Sequence, residues 1–133
     1  MKAKDLMIGD WVLCDMNAQS GYEFDTVNYQ PYQIANGEDI DYAIENNKIG
    51  DADVYQPILL TPEILEKNGF EKRHMYYVCT ISDGFKLWYY PHLGNLRYEY
   101  KGKPIFKSMD GLNYVHQLQH ALRLCGIEKE IEI

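Results

Sequence analysis

The sequence lacks the runs and motifs that would assign it quickly. It has no apolar run long enough to span a bilayer as a helix, so no membrane-spanning helix is expected. The opening MKAKDLMIGD has no signal-peptide apolar region, and the expected location is cytoplasmic. Cysteine is scarce. Cys14, Cys79 and Cys125 are an odd set without C-x-x-C spacing, which argues against a disulfide framework or a zinc ribbon. Each lies in an apolar stretch and reads as a buried free thiol. No G-x-G-x-x-G, P-loop or G-x-S-x-G occurs, so the common nucleotide and hydrolase signatures are missing. The acidic residues Asp39, Asp41, Asp51 and Asp53 do not continue into an EF-hand loop. There is no internal repeat and no low-complexity linker.

What is present is a chain of 133 residues, 46% apolar, with 12 tyrosines. That length buries a core without disulfides or metal. Tyrosine brings a large ring and a hydroxyl that needs a partner, and so favours half-wet surfaces and interfaces. The net charge of −7 is unevenly spread. Residues 1–70 carry 13 acidic and 4 basic side chains; residues 71–107 carry 3 acidic and 7 basic. An acidic front and a basic middle imply two surfaces with different partners, or surfaces that suit each other.

Along the chain, Gly9-Asp10 marks a turn and WVLC a strand. YEFDTVNYQPYQIANG is aromatic and β-branched and ends at the Asn36-Gly37 turn signal. DIDYAIEN alternates, with Ile40, Tyr42 and Ile44 in one row, and is expected to be a third strand. VYQPILL is a fourth, and Pro57 confines it to an edge or bulge. LTPEILEKNGF has a helix signature at both ends. Thr61 is a natural N-cap, Pro62 suits the first helical position, and Asn68-Gly69 closes the helix with Phe70 folding back on Leu65. Residues 74–107 read as a β-meander: MYYVCTIS and FKLWYY around Asp83-Gly84, then NLRYEY, then a turn at Lys101-Gly102 into PIFK.

YVHQLQHALRLCG reads as an amphipathic helix. On a wheel of about 100° per residue, Tyr114, Val115, Leu118, Ala121, Leu122 and Cys125 form one apolar stripe. Asn113 or Asp110 can cap its start; Gly126 ends it, with Ile127 folding back on Leu122. The tail IEKEIEI places Ile127, Ile131 and Ile133 on one face of an expected final strand. His116 and His120 lie opposite the apolar stripe, on a face expected to be wet. Their i, i+4 spacing matches H-E-x-x-H, but Gln117 stands where the general base belongs. Two histidines are also too few ligands for zinc. His116 and His120 are therefore weak metal candidates, and no cofactor is expected. Cys125 with a histidine would need a base beside the thiol, and its place on the apolar stripe opposes that.

The meander carries the stronger binding signal. Lys86, Trp88 and Tyr90 share one strand face by period two; Arg97 is one strand on, and Lys101, Lys103 and Lys107 follow. Aromatic rings among cations stack on bases and track phosphates in single-strand nucleic-acid platforms. The overall negative charge works against a polyanion. Trp, Tyr and Arg are equally the favoured anchors of protein interfaces. The bland alternative is a solvated sheet face carrying amphipathic rings.

Three stretches together, KDLMIGDWV at 4–12, PILLTPEILEKNGF at 57–70 and YVHQLQHALRLCGIEKEI at 114–131, resemble a family of small uncharacterised bacterial proteins found in phage-like or mobile-element settings. The resemblance implies a cytoplasmic protein without known catalytic residues, and it transfers no site residue.

The expected fold is α+β. It comprises an N-terminal small SH3-like β-barrel or sheet, a short helix, an antiparallel β-meander, and a C-terminal helix packed on the sheet. The expected division is a β-rich part at 1–60 and a helix–meander–helix part at 61–133, or one continuous domain. The expected function is a non-enzymatic protein-interaction module docking on the meander face or on the face of His116 and His120. The alternatives are single-stranded nucleic-acid binding by Lys86, Trp88, Tyr90 and Arg97, and a metal-dependent enzyme at His116 and His120. A weaker one is an acidic nucleic-acid mimic at residues 38–53. Homo-oligomerisation stays open.

Overall fold

The structure is a computed structural model; it describes residues 6–16, 28–46, 48–49, 52–53, 55–105 and 109–133. The expectations for residues 22–27, Asp51, Val54, Phe106 and Lys107 lie outside these. So do those for the first two residues of the KDLMIGDWV stretch. The chain forms two compact units, 1–58 and 59–133. The class is α+β with antiparallel sheets.

In the first unit, β1 (Trp11–Asp15) is flanked by β2 (Tyr29–Gln33) and, beyond two short strands, by β5 (Tyr55–Gln56). The short strands, β3 (Lys48–Ile49) and β4 (Ala52–Asp53), pair with each other. Among the described residues these sheets are open, so the barrel alternative gives way to the sheet. Pro31 and Pro57 show why the flanking strands are edges. Pro31 lies in β2 opposite Leu13, and Pro57 follows the last residue of β5; a proline cannot donate to a further strand. The core gathers Leu6, Val12, Cys14, Ile34 and Tyr55, with Tyr32, Ile40 and Tyr42 packed against it. Each aliphatic side chain buried here contributes about 1.5–3 kcal/mol.

Gly9-Asp10 makes the turn before β1. Gly9 N–H donates to the Ile34 carbonyl (2.7 Å), and Ile34 N–H donates to the Asp10 carbonyl (2.9 Å). Asp10 and Asp15 are both fully buried (0% exposed). Asp10 Oδ2 accepts from Met7 N–H (2.7 Å) and Asp15 Oδ1 from Asn28 N–H (2.9 Å), so these acids are structural staples.

DIDYAIEN is a helix, α1 (Gly37–Asn46), not the strand expected. Asn36 decides it. Its Oδ1 accepts from Asp39 N–H (3.2 Å), as an N-cap does for the third helical residue, so Asn36-Gly37 opens a helix instead of a hairpin. Ile40 and Ile44 are four apart, a spacing that satisfies both the period of a strand and that of a helix.

The second unit opens with α2 (Pro62–Lys67), capped as expected. Thr61 Oγ1 accepts from Ile64 N–H (3.3 Å). Phe70 N–H donates to the Leu65 carbonyl (3.0 Å) and Gly69 N–H to that of Glu66 (3.1 Å), a complete Schellman closure. The meander follows as β6 (Glu71–Lys72), β7 (Tyr77–Ser82), β8 (Phe85–Tyr90), β9 (Asn95–Tyr100) and β10 (Lys103–Pro104), each paired with the next. Rows Tyr77–Tyr89–Leu96 and Cys79–Leu87–Tyr98 form its buried face. The segment after β10 returns across β9. Leu96 and Met109 exchange both backbone bonds, and Tyr89 Oη donates to the Leu112 carbonyl (2.6 Å).

Helix α3 (Val115–Leu124) buries Val115, Leu118, Ala121 and Leu122, as the stripe required. Its start is capped by neither Asn113 nor Asp110. Instead Gln117 Oε1 accepts from both Asn113 N–H (2.8 Å) and Tyr114 N–H (3.0 Å). Ile127 N–H donates to the Leu122 carbonyl (2.9 Å), repeating the closure of α2. The tail keeps its period of two, with Ile131 buried and Glu128, Glu130 and Glu132 exposed, but it joins no sheet. Side chains replace the ladder, and Lys67 Nζ donates to the Ile133 carbonyl (2.7 Å). Asn68 donates Nδ2–H to the Glu132 carbonyl (2.8 Å) and accepts at Oδ1 from Glu132 N–H (2.8 Å).

Candidate functional site

The outer face of the meander assembles the predicted residues. Val78, Trp88 and Arg97 form one cross-strand row, and Thr80, Lys86 and Glu99 the next. Trp88 and Tyr90 are half-buried, whereas Lys86 and Arg97 are exposed. Lys101 and Lys103 lie at the turn beyond β9. Lys103 stands opposite Tyr100, and Lys101 Nζ is 5.3 Å from the Tyr100 ring.

Tyr76 completes the cluster; it precedes β7 but lies two residues before Val78 in the expected strand MYYVCTIS, so strand period already placed it on this face. Its ring lies 5.0 Å from that of Trp88 and 5.4 Å from that of Tyr90. The indole Nε1 of Trp88 is enclosed and has no acceptor among the described residues, a loss of about 1–3 kcal/mol. Ring packing, not a polar tether, therefore holds Trp88.

Arg97 is positioned by its neighbours. Its guanidinium carbon lies 5.3 Å from the Tyr90 ring centroid, within cation–π range. Arg97 Nε–H donates to Asn95 Oδ1 (3.3 Å), and Asn95 Nδ2–H donates to Asp110 Oδ1 (2.6 Å). No carboxylate among the described residues pairs with Arg97 or Lys86. Beside this cluster, Lys86, Trp88, Glu99 and Lys101 line a groove of about 370 Å³, with Gly84 and Gly102 at its end.

The histidine pair is not wet as expected. His116 is only 6% exposed; its ring stacks on Tyr114 (6.0 Å) and meets His120 edge-on (5.7 Å). The wheel placed it opposite the apolar stripe, but Gln119 is buried too, so α3 is enclosed on more than one side. Gln117, in the place of the protease base, spends its oxygen on the helix start. Among the described residues no three His, Cys, Asp or Glu side chains come together to hold a metal ion. Burial pushes the Cys125 thiol up to about 11 and that of Cys79 upward as well, away from the thiolate a nucleophile needs. Among the described residues no helix is long and apolar enough to cross a membrane.

No family model, curated protein or solved structure matches the chain.

Proposed function

We propose that the chain is a binding module whose outer meander face receives an acidic segment of a protein partner. The observation that carries this is Arg97: held over Tyr90, oriented through Asn95, exposed, and paired with no carboxylate among the described residues. A planar guanidinium fixed in this way suits bidentate capture of a carboxylate. Tyr76, Trp88 and Tyr90 supply the apolar anchor beside it, and Lys86 and Lys101 add charge at the rim.

The ring geometry favours protein over single-stranded nucleic acid. A stacking platform offers each base an open ring face. Here the three rings lean on one another at 42° and 38°, and Glu99 shares the groove with the two lysines.

The test is a titration followed by backbone amide shifts, with a synthetic peptide of alternating Glu and Leu and, separately, oligothymidine. The peptide is expected to move the amides of Trp88, Tyr90 and Arg97. Arg97→Ala should weaken it about tenfold or more, and salt should weaken it further. Shifts produced by the oligonucleotide alone, or no shifts at millimolar peptide, would overturn the reading.

A further inference from the structure

The sequence holds two Asn-Gly pairs, Asn36-Gly37 and Asn68-Gly69, and the fold gives them opposite surroundings. We propose that Asn36 is a site of spontaneous deamidation, while Asn68 is shielded from the same reaction.

The reaction is intramolecular. The backbone nitrogen of Gly37 attacks Cγ of Asn36. The N–Cγ bond forms, the Cγ–Nδ2 bond breaks, and ammonia leaves with the proton shed by the Gly37 nitrogen. Water then opens the cyclic imide. Cleavage at Cγ gives aspartate; cleavage at the backbone carbonyl gives isoaspartate, in which the chain runs through the former side chain. Nothing is oxidised or reduced: water enters and ammonia leaves. Asparagine is heat-labile for this reason, and glycine after it offers no Cβ to crowd the closing ring.

Asn36 is open to this chemistry. Asn36 and Gly37 are both exposed, and a Cβ built on Gly37 would meet no atom within 4 Å. The Gly37 N–H stands at the first position of α1, where no intrahelical acceptor exists, and none outside the helix takes it among the described residues. The Asn36 side chain is held by a single bond, from Asp39 N–H to its Oδ1 (3.2 Å), and its Nδ2 donates to nothing among the described residues. Helix ends open at low cost, so the turn of the backbone that closes the ring is accessible in the folded chain.

Asn68 is the reverse case. It is buried, and both ends of its amide are engaged. Nδ2 donates to the carbonyls of Ile64 (2.7 Å) and Glu132 (2.8 Å), and Oδ1 accepts from Glu132 N–H (2.8 Å). The nitrogen that would attack, that of Gly69, donates its hydrogen to the Glu66 carbonyl (3.1 Å). Ring closure there requires the end of α2 and the tail to open together.

The two products differ in their effect on α1. Aspartate at position 36 keeps an acceptor at the cap and adds a charge that suits the helix start. Isoaspartate lengthens the backbone by a methylene and removes the acceptor of Asp39 N–H. Asp39 is the residue that feels this first: its carboxylate accepts from Tyr32 Oη–H (2.9 Å) and Ala35 N–H (2.8 Å), which ties the start of α1 to β2.

The experiment incubates the whole chain at mildly alkaline pH, native and in urea, and digests it with trypsin, which separates the two sites by cutting after Lys67. Tandem mass spectrometry reads amide-to-acid conversion at each asparagine, and an isoaspartate-specific methyltransferase reads the rearranged product. In the native chain Asn36 is expected to convert at least about tenfold faster than Asn68, which waits for local unfolding. In urea the two should convert alike. Gly37→Ala, which the open space admits, should slow conversion at Asn36 strongly with the circular dichroism spectrum unchanged. Amide exchange at Asp39 should quicken in the isoaspartate form and stay slow in Asn36→Asp. Asn36 lasting as long as Asn68 in the native chain, Gly37→Ala converting as fast as its parent, or unchanged exchange at Asp39 in the isoaspartate form overturns the proposal.

Discussion

Lys101 occupies backbone space that suits it poorly. It and Gly102 form the two-residue connection between β9 and β10, with φ of 48° and 81°. Two positive φ values define a type I′ turn, where Asn-Gly is preferred because a Cβ crowds the left-handed region. Lys101→Asn is therefore expected to stabilise the second unit by about 0.5–1 kcal/mol, read as a higher urea midpoint at unchanged slope. An unchanged midpoint would mean that the Lys101 contact with the Tyr100 ring compensates the strain. Gly94 is the opposite case. Its φ is 59°, and a Cβ there would stand 2.9 Å from the Leu112 backbone nitrogen, which donates to the Gly94 carbonyl (2.8 Å). Neither atom is on a flexible side chain, so Gly94→Ala should cost more than about 1 kcal/mol. Its hydrogen-exchange signature should be faster exchange at Leu112.

Secondary elements were legible where punctuation and period agreed. Helix α2 and strands β7 to β9 were readable because Thr61-Pro62, Asn68-Gly69, Asp83-Gly84 and Lys101-Gly102 bracket patterns of one period. Helix α1 was misread because Asn36-Gly37 signals both a hairpin and a helix start, and Ile40 to Ile44 fits either period. The tail was readable in its alternation and not in its pairing, since its partner is a side chain 64 positions away. That Lys86, Trp88, Tyr90 and Arg97 share one sheet face was legible from strand period and register. The relay from Arg97 through Asn95 to Asp110 was not, because it depends on contacts between distant residues. Asn68 tests the tail. It is buried and brackets Glu132 with both amide atoms, besides donating to the Ile64 carbonyl (2.7 Å). Asn68→Leu keeps the volume and removes these side-chain bonds, so the Glu132 backbone loses both of them, while the Ile64 carbonyl keeps the Asn68 backbone N–H (3.2 Å). A loss of about 1–3 kcal/mol is expected, with Glu132 N–H exchanging at the rate of an open chain. Retained protection at Glu132 would show that burial of Ile131 and the Lys67 bond to the Ile133 carbonyl hold the tail without Asn68.

At the scale of the molecule, tyrosine burial governs the response to alkali. Burial, the hydrogen bond to Asp39 and the charge of Asp39 push Tyr32 up to about 12. Burial, the largest cause in each case, raises Tyr42 and Tyr55 in the same unit and Tyr89 in the other. An unfolded tyrosine loses its proton near pH 10. Above that pH the unfolded chain holds fewer protons than the folded one, so stability must fall as pH rises. The contribution of Tyr32 is fully present below about pH 10 and lost as pH climbs through about 12. Both units carry such groups, so neither is exempt. The first holds three of them around one core, and its loss should lead. The check is a pH series of urea unfolding combined with tyrosinate absorbance. The tyrosinate signal of Tyr32, Tyr42, Tyr55 and Tyr89 should appear only with a cooperative loss of structure. A single titration of all 12 tyrosines near pH 10, with the circular dichroism unchanged, would contradict the enclosed Tyr32–Tyr42–Tyr55 cluster at the core of the first unit.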